Sequence, residues 1–193
     1  MQLWFASGNV HKKKEMERLL PGIDIILPKE RGIEFSPEEN ADSYIGNAMI
    51  KAEALYGIVK APVLADDSGL EVAALSGQPG IHTARYGGEG LTAEERYMLL
   101  LRNMEGIEDR SASFISALCV ILSPQRKFII QEECKGRIAL SPSGASGFGY
   151  DPVFFIDEAG CVSAELPEGD KDLYSHRGKA CRRLKLILEN ENA

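Results

Sequence analysis

The sequence predicts a mixed α/β fold, with an elongated mixed β-sheet flanked by helices. Apolar runs of strand length alternate with amphipathic helical patterns near both ends of the chain, and two long apolar runs around a proline turn lie between them. Alternating strands and helices build a sheet covered by helices, and a hairpin adds antiparallel strands. A chain of 193 residues suits one domain over residues 1–193, which we expect to form two lobes around a central cleft.

The first elements alternate between strand and helix. Residues 3–6 are an apolar run typical of a short strand, and the small residues 7–9 predict a turn after it. A helix is expected to begin near His11 and to end at Pro21-Gly22, because proline and glycine stop helices. Residues 23–27 are predicted to form the next strand.

Two segments have the form of a capping box, in which Ser or Thr and a Glu three residues later bond to each other's backbone N–H groups. Residues 36–39 (Ser-Pro-Glu-Glu) predict one helix start, with proline at the first helical position. Apolar residues at helical spacing continue this helix from Ile45 to Leu55. Residues 92–95 predict a second helix, which we expect to extend to about Met104.

Strand and turn patterns fill the rest of the chain. Residues 63–65 predict a buried strand that ends in the acidic turn 66–69, and residues 70–73 resume the strand. The apolar runs between 114 and 131 predict a long hairpin. Ser175 is expected to cap a final helix.

Composition excludes several classes of function. The net charge of −7 argues against binding to nucleic acid, which requires clustered Lys and Arg. The four cysteines form no C-x-x-C pair, so reduced thiols are expected. The N-terminus has no basic segment typical of a signal peptide, and no apolar run approaches the roughly 20 residues that cross a membrane. We therefore expect a cytoplasmic protein without a membrane partner.

The turn before the first helix is a candidate phosphate site. A Gly-containing turn between strand and helix directs backbone N–H groups at a ligand above the helix N-terminus, where the helix dipole favours an anion. An ordinary tight turn with solvated lysines is the alternative interpretation. The candidate residues are Ser7, Gly8, Asn9, Val10, His11 and Lys12.

Glu39 and the helix after it are a candidate metal–phosphate site. Ser43, Asn47 and Lys51 are spaced four apart, so they share one helix face, separate from the apolar stripe. A carboxylate followed by an amide and an ammonium can hold a metal–phosphate complex. A purely structural capping role would explain Glu39 equally well.

The acidic segment Asp66-Asp67-Ser68-Gly69 is the strongest local signal. Adjacent carboxylates after an apolar strand are costly unless they are solvated, paired or bound to metal. Open α/β sheets bind ligands beyond the carboxyl ends of their strands. Magnesium prefers one or two carboxylates plus waters and phosphates, and a carboxylate near metal-bound water can act as a general base. A polar turn is the alternative.

Two further segments are candidates for binding a base. Residues 144–152 form a glycine-rich loop that contains Phe148 and Tyr150, and it matches neither a phosphate-binding Walker loop nor the Gly-x-Ser-x-Gly elbow. Aromatic rings between glycines can stack on a base. Lys171 and residues 175–179 gather donors around a predicted helix N-terminus. A flexible surface loop and a solvated helix cap are the respective alternatives.

Together and in this order, these segments resemble the inosine triphosphate pyrophosphatase family over nearly the whole chain. Their shared order and compatible spacing carry the resemblance. The chain departs from the family pattern at Gly46, where an acidic residue is common. The matching motifs are Ser7 to Lys12 with Glu15, Asn47-Ala48 with Lys51-Ala52, Ala65 to Leu70, Pro79-Gly80 with Ala84 to Tyr86, Gly147 to Pro152, and Ser175 to Gly178.

The resemblance implies hydrolysis of ITP, dITP and XTP between the α and β phosphates, giving the monophosphate and pyrophosphate with Mg²⁺ as cofactor. It implies Asp67 as general base and metal ligand, Glu39 as a second metal ligand, and a homodimer with residues 79–86 as candidate interface. Substrate-binding roles fall to Ser7, Gly8, Asn9, Val10, His11, Lys12, Lys51, Ser68, Phe148, Gly149, Tyr150, Asp151, Lys171, His176 and Arg177.

The implied chemistry agrees with the residue types. Lys12, Lys51 and one magnesium ion can offset most of the roughly four negative charges of a triphosphate. Hypoxanthine and xanthine present a keto oxygen at C6, so Lys171 or His176-Arg177 would donate hydrogen bonds to it, whereas the amino group of adenine would leave these donors unpaired. Two alternatives stay open: a nucleotide-binding or sensor protein with little turnover, and a triphosphatase of other nucleotide preference.

Overall fold

The computed structural model describes residues 1–191, as a mixed open sheet of eight strands with five α-helices. This architecture confirms the predicted mixed α/β fold. The strands are β1 (Gln2–Phe5), β2 (Asp24–Ile26), β3 (Val63–Val72), β4 (Pro79–Gly80), β5 (Ser111–Ser123), β6 (Arg126–Ile138), β7 (Phe154–Ile156) and β8 (Cys161–Val162). The helices are α1 (Val10–Leu19), α2 (Tyr44–Val59), α3 (Ala93–Asn103), α4 (Glu168–Tyr174) and α5 (His176–Glu191).

The sheet has the strand order β2-β1-β3-β5-β6-β7-β8, and β4 also pairs with β3. β1 lies parallel to both β2 and β3, as expected when helices α1 and α2 connect successive strands. The pairings of β3 with β4, of β6 with β7 and of β7 with β8 are antiparallel. The sheet is therefore parallel at its β2–β1–β3 end and antiparallel at its β6–β7–β8 end and where β4 joins β3.

The chain divides into two compact units. Unit 1 contains residues 1–67, 116–132 and 180–193, and unit 2 contains residues 68–115 and 133–179. Each unit has its own apolar core, centred on Phe5, Met16 and Leu64 in unit 1 and on Leu70, Leu100 and Phe154 in unit 2. The expectation that residues 1–193 act as one domain stays a prediction.

Several predicted elements are confirmed. α1 begins one residue before the predicted start and ends shortly before Pro21-Gly22. At residues 92–95 both reciprocal bonds of the capping box are present at the start of α3. The hairpin forms as β5 and β6, and Ser175 Oγ accepts a hydrogen bond from the Gly178 N–H at the start of α5. Within the described residues, no helix is long and apolar enough to span a membrane.

The predicted helix start at residues 36–39 is wrong. Residues 33–41 form no helix, and α2 begins at Tyr44 with Ser43 as its cap, whose hydroxyl accepts a hydrogen bond from the Gly46 N–H. The segment before the helix is held by the Asn47 side chain, which accepts from the Ala41 N–H at 3.0 Å. Because Ser43 and Asn47 satisfy the backbone here, Glu39 is left to make other contacts.

The acidic segment is not a turn, which is a second correction. β3 runs without interruption from Val63 to Val72, so Asp66 and Asp67 lie in the middle of a strand. The neighbouring parallel strand β1 ends at Phe5, which is paired with Leu64. The two carboxylates therefore still follow the carboxyl end of β1, the place where ligands bind in open α/β sheets.

Candidate functional site

Asp66 and Asp67 serve different partners, because successive residues of a strand direct their side chains to opposite faces. The Asp66 carboxylate is paired with Lys12 from α1, with Oδ2 at 2.7 Å from Nζ. The Asp67 carboxylate is paired with Lys51 from α2, with Oδ1 at 2.8 Å from Nζ. Each of the two adjacent carboxylates thus has a lysine of its own.

Lys51 also contacts Glu39, whose Oε2 lies 2.7 Å from the lysine Nζ. The structure therefore brings together three of the predicted site residues of unit 1. Asn47 and Lys51 are both buried, so the predicted polar face of α2 is not separate from its apolar side. This correction has a simple cause: Lys51 is buried because it is neutralised by two carboxylates.

The electrostatics of this cluster separate its two carboxylates. Burial raises the pKa of Asp67. The positive charges of Lys51 and Lys12 oppose this rise and the nearby Glu39 carboxylate adds to it, so that the pKa of Asp67 lies above its ordinary value. Burial also raises the pKa of Glu39, but the bond from Lys51 outweighs it and the pKa lies below its ordinary value. Burial lowers the pKa of Lys51, yet Asp67 and Glu39 hold it above normal. Asp67 is thus the better proton acceptor of the pair near neutral pH.

One carboxylate oxygen in the cluster lacks a donor. Among residues 1–191, no group donates a hydrogen bond to the buried Oδ2 of Asp67. A buried acceptor without a partner is costly, so this atom is suited to a ligand or a cation. The described part of the chain has no group of three or more His, Cys, Asp or Glu side chains arranged to hold a metal ion. The donor set of two carboxylates fits Mg²⁺, which completes its coordination with waters and phosphates.

The turn before α1 is shaped by Asn9. The Asn9 Oδ1 accepts hydrogen bonds from the N–H groups of His11 at 2.9 Å and of Lys12 at 3.2 Å, and the Asn9 N–H donates to Ser7 Oγ at 3.1 Å. Gly8, Asn9, Val10 and His11 are exposed. A Cβ added to Gly8 would meet no heavy atom within 4 Å. The predicted phosphate turn is therefore preformed and open on its outer side.

Unit 2 contains the predicted base-binding residues, and Asp151 is their common contact. Its Oδ2 accepts from Lys171 Nζ at 2.6 Å and from the Phe148 N–H at 2.8 Å, and its Oδ1 accepts from Ser163 Oγ at 2.8 Å. Gly147 packs directly on this carboxylate, since an added Cβ would lie 2.2 Å from Oδ2. Asp151 thus fixes the loop that carries Phe148 and Gly149.

The ring of Phe148 lies near two cations of unit 2. Lys171 Nζ is 5.7 Å from the ring centroid, and the Arg177 guanidinium carbon is 6.0 Å from it. Arg177 also donates to the hydroxyl of Ser68 at 3.0 Å. The structure therefore places Ser68, Phe148, Lys171 and Arg177 together.

Two further predicted residues of unit 2, His176 and Tyr150, are buried. The His176 ring stacks on Phe114, with centroids 4.8 Å apart. Tyr150 is buried in the core of unit 2, and its hydroxyl donates to the Thr83 carbonyl at 3.1 Å. Burial raises the pKa of the Tyr150 hydroxyl far above its usual range. The Tyr150 side chain therefore packs and supports the loop, and its hydroxyl is already occupied.

Sequence reasoning missed two hydroxyls that belong to these clusters. Ser116 Oγ donates to Asp66 Oδ1 at 2.7 Å, and Ser163 Oγ donates to Asp151 Oδ1. Ser116 interrupts the apolar run from Phe114 to Leu122, a signal that was available in the sequence. Ser163 lies in a segment without a recognisable pattern, so only the fold identifies it.

Known proteins resemble this chain over most of its length. The chain matches the model of the Ham1 family over residues 3–187. A dITP/XTP pyrophosphatase of Treponema denticola is 52% identical over 183 residues, covering 93% of this chain and 94% of the relative. A dITP/XTP pyrophosphatase of Methylacidiphilum infernorum is 44% identical over 192 residues, covering 98% and 95%.

Solved structures agree with the sequence match. The structure of the Staphylococcus aureus Ham1 protein has a TM-score of 0.89 and 34% identity, and the match covers 99% of this chain and 100% of that protein. A Ham1 protein from Coxiella burnetii has a TM-score of 0.89 and 35% identity, with 98% and 99% coverage. The family model spans most of the sequence and the relatives match it nearly end to end; this chain belongs to the Ham1 family.

Proposed function

We propose that this chain hydrolyses dITP, ITP and XTP to the nucleoside monophosphate and pyrophosphate, removing these non-standard purine nucleotides from the nucleotide pool. Membership of the Ham1 family and 52% identity to a dITP/XTP pyrophosphatase support a hydrolase acting on these triphosphates. The observation that carries the assignment within the structure is the buried Asp67 carboxylate beside Glu39 and Lys51, whose Oδ2 accepts no hydrogen bond from residues 1–191.

Asp67 is proposed to act as the general base. Its pKa is raised by burial, so its basicity moves towards that of a proton acceptor matched to neutral pH. Lys51 holds Oδ1 at 2.8 Å and so fixes the rotation of the carboxylate. Oδ2 then remains to take the proton of the attacking water.

Glu39 and Asp67 are proposed to hold Mg²⁺. The fit rests on two carboxylates close enough to contact the same Lys51 ammonium, a donor set that Mg²⁺ accepts together with waters and phosphates. When bound, Mg²⁺ neutralises phosphate charge and makes water a better nucleophile. The side chain of Glu39 is more exposed than that of Asp67, at 36% against 11%, and is the easier of the two to reorient for a cation.

The triphosphate is proposed to bind the cationic and N–H groups of unit 1. Lys12 and Lys51 supply positive charge, and the turn of Ser7, Gly8, Asn9, Val10 and His11 offers the N-terminus of α1. Because the Asn9 side chain already accepts from two of these N–H groups, phosphate oxygens share them with Asn9 or replace it.

The base and sugar are proposed to bind residues of unit 2. Lys171, His176 and Arg177 supply donors, Ser68 contacts the substrate, and the ring of Phe148 offers a stacking surface beside Gly149 and Asp151. A protein donor aimed at C6 donates a hydrogen bond to the keto oxygen of hypoxanthine or xanthine, and it is left unsatisfied by the amino group of adenine. Tyr150 supports this loop from the core through its bond to Thr83.

The remaining expectations extend this proposal. We propose that residues 1–193 act as one domain, that the protein is cytoplasmic and does not bind nucleic acid, and that it forms a homodimer through residues 79–86. Size-exclusion chromatography with light scattering tests the dimer, and a purely monomeric protein at micromolar concentration contradicts it.

A panel of purine and pyrimidine triphosphates with Mg²⁺ tests the function, with monophosphate and pyrophosphate measured directly. We expect dITP, ITP and XTP to be cleaved far faster than dATP, with phosphate released only after inorganic pyrophosphatase is added. Phosphate released without that helper enzyme contradicts cleavage between the α and β phosphates. Tight binding without turnover favours a nucleotide sensor instead.

A further inference from the structure

Ser116 is a hydroxyl inside the buried apolar part of β5. It is fully buried on β5, and the residues on either side of it, Ile115 and Ala117, are buried as well. Core packing alone favours alanine at this position, because burying a hydroxyl costs free energy unless it is hydrogen-bonded. The hydroxyl therefore has a role other than filling the core of unit 1.

The partner of this hydroxyl is the buried carboxylate of Asp66. Ser116 Oγ donates to Asp66 Oδ1 at 2.7 Å, and the other oxygen, Oδ2, pairs with Lys12 Nζ at 2.7 Å. Both carboxylate oxygens are thus engaged, one by a strand and one by a helix. A carboxylate bonded at both oxygens cannot rotate, so it presents Oδ2 in one direction.

Lys12 is the exposed end of this chain of contacts. The Asp66 side chain is completely buried, whereas 16% of the Lys12 side chain is exposed, and Nζ also lies 3.5 Å from the Asp66 carbonyl oxygen. A lysine side chain is long and flexible, and it binds phosphate as a point charge. Holding its ammonium in place before the ligand arrives reduces the ordering that binding requires.

We infer that Ser116 and Asp66 are positioning residues, which hold the Lys12 ammonium where it meets the phosphates of the substrate. The inference rests on the proposed function, because it assigns Lys12 to the triphosphate. Neither residue touches the reacting atoms. Ser116 orients Asp66, and Asp66 orients Lys12. The rival explanation is that the Ser116–Asp66 bond only stabilises the contact between the neighbouring strands β3 and β5.

Binding measurements on Ser116 variants separate the two explanations. The ligands are the α,β-methylene analogue of dITP with Mg²⁺, which resists hydrolysis, and dIMP, which lacks the outer phosphates; calorimetry gives Kd. We expect Ser116→Ala to weaken binding of the analogue by about fivefold, which is less than the full loss of a hydrogen bond to a charged group because Ser116 acts on Lys12 only through Asp66. The Kd for dIMP should change less than twofold.

Two matched variants complete the series. Ser116→Thr retains the hydroxyl, so it should restore most of the affinity for the analogue. Ser123→Ala removes a partly buried hydroxyl at the end of the same strand and should bind both ligands as the wild type does. Melting temperatures are recorded for every variant, so that a loss of folded protein is not read as a loss of affinity.

A double-mutant cycle with Lys12→Met supplies the decisive comparison. If Ser116 acts through Lys12, Ser116→Ala has no further effect on the Kd of the analogue once Lys12 is gone. An unchanged fivefold loss in the Lys12→Met background overturns the inference, and so does an equal loss of affinity for dIMP. In steady-state assays of dITP, the Ser116→Ala effect should appear mainly in KM.

The outcomes distinguish this inference from the proposed function. A wild-type protein that binds the analogue but does not cleave dITP contradicts the proposed activity, while the binding series still decides the role of Ser116. A wild-type protein that cleaves dITP together with a Ser116→Ala variant of unchanged affinity overturns the positioning role alone. A wild-type protein that neither binds nor cleaves overturns both.

Discussion

Each unit of the molecule contains one buried aspartate held between a serine hydroxyl and a lysine ammonium. In unit 1 the aspartate is Asp66, with Ser116 at 2.7 Å and Lys12 at 2.7 Å. In unit 2 the aspartate is Asp151, with the Ser163 hydroxyl at 2.8 Å and Lys171 at 2.6 Å. The same three groups thus recur at nearly the same distances, on unrelated elements.

The surroundings of the two lysines differ. The Lys12 side chain is 16% exposed and belongs to the first turn of a helix, behind an open glycine turn. The Lys171 side chain is 8% exposed, lies near the ring of Phe148, and shares its carboxylate oxygen with a backbone N–H. The arrangement in unit 1 suits a charged ligand at the surface, and that in unit 2 fixes a loop and aims a donor.

The two units differ in what they offer a ligand: unit 1 offers mainly charge, and unit 2 offers mainly an aromatic ring and directed donors. In unit 1 a second ion pair, between Lys51 and Asp67, lies next to the Ser116–Asp66–Lys12 group and makes the region rich in charge. In unit 2 both oxygens of the Asp151 carboxylate are bonded inside the protein, so we expect a base bound there to meet the ring of Phe148 and directed donors. We therefore expect variants of unit 1 to change turnover and phosphate affinity, and variants of unit 2 to change the choice of base.

Asp67→Asn should have the largest effect. An amide cannot accept the proton of water near neutral pH, so we expect kcat for dITP to fall by about 10²- to 10⁴-fold, the usual contribution of a general base. The Kd for dIMP should stay within about twofold. Asp109→Asn, at an exposed position of unit 2, is the control. Turnover by Asp67→Asn at the wild-type rate refutes the role of Asp67.

Lys51→Met tests the charge balance of unit 1. Its removal leaves Asp67 and Glu39 side by side without a counter-charge, which should lower stability in EDTA by about 3 kcal/mol. The melting temperature should fall by roughly 6–12 °C for a protein of this size. Because the cation then replaces the lost ammonium, Mg²⁺ should raise the melting temperature more in Lys51→Met than in the wild type. An equal or smaller Mg²⁺ effect contradicts metal binding by this carboxylate pair.

Ser163→Ala sharpens the comparison from the side of unit 2. Loss of this hydroxyl frees Asp151 to rotate and loosens Lys171, so the ratio of kcat/KM for dITP over dATP should fall by about fivefold, close to the value of one hydrogen bond. The Kd of the α,β-methylene analogue relative to that of dIMP should not change. The opposite result, a weaker Kd for the analogue with an unchanged ratio of kcat/KM for dITP over dATP, would contradict the assignment of base choice to the residues of unit 2.

The pH profile should show the smallest effect. Asp67 must be ionised to accept a proton, so kcat/KM falls as the pH is lowered through its pKa. Burial raises this pKa and Lys51 opposes the rise, so Lys51→Met should move the acid limb to higher pH. Ser163→Ala should leave the limb in place. An acid limb that moves down in Lys51→Met shows that another group controls it.

Local pattern was sufficient for most of the fold. The α3 capping box and the β5–β6 hairpin were predicted because their signals lie within a few residues of one another. The helix start at residues 36–39 was wrong because an equally good cap, Ser43, lies nearby and the Asn47 side chain binds the intervening backbone. Local pattern cannot rank two such competing starts.

The residues of the candidate site were named from the sequence, but the contacts that join them were not predicted. Asp-Asp-Ser-Gly has the composition of a turn, but a strand forms there because distant groups neutralise both carboxylates. Ser116 is separated from Asp66 by 50 residues of sequence, so no local pattern joins them. The family resemblance supplied candidate roles for Asp67 and Lys12, whereas the contacts that hold them came from the structure.

The uninterrupted course of β3 also limits how this protein can evolve. Side chains alternate along the strand, so deletion of one residue between Val63 and Asp66 would exchange the faces of the two aspartates. Asp67 would then take the place of Asp66 and face Lys12, Ser68 would take the place of Asp67 and face Lys51, and every apolar side chain on the shifted side of the deletion would change faces as well. We therefore expect the Val63–Val72 segment to accept substitutions and to reject changes in length, in contrast to the loops at either end of it.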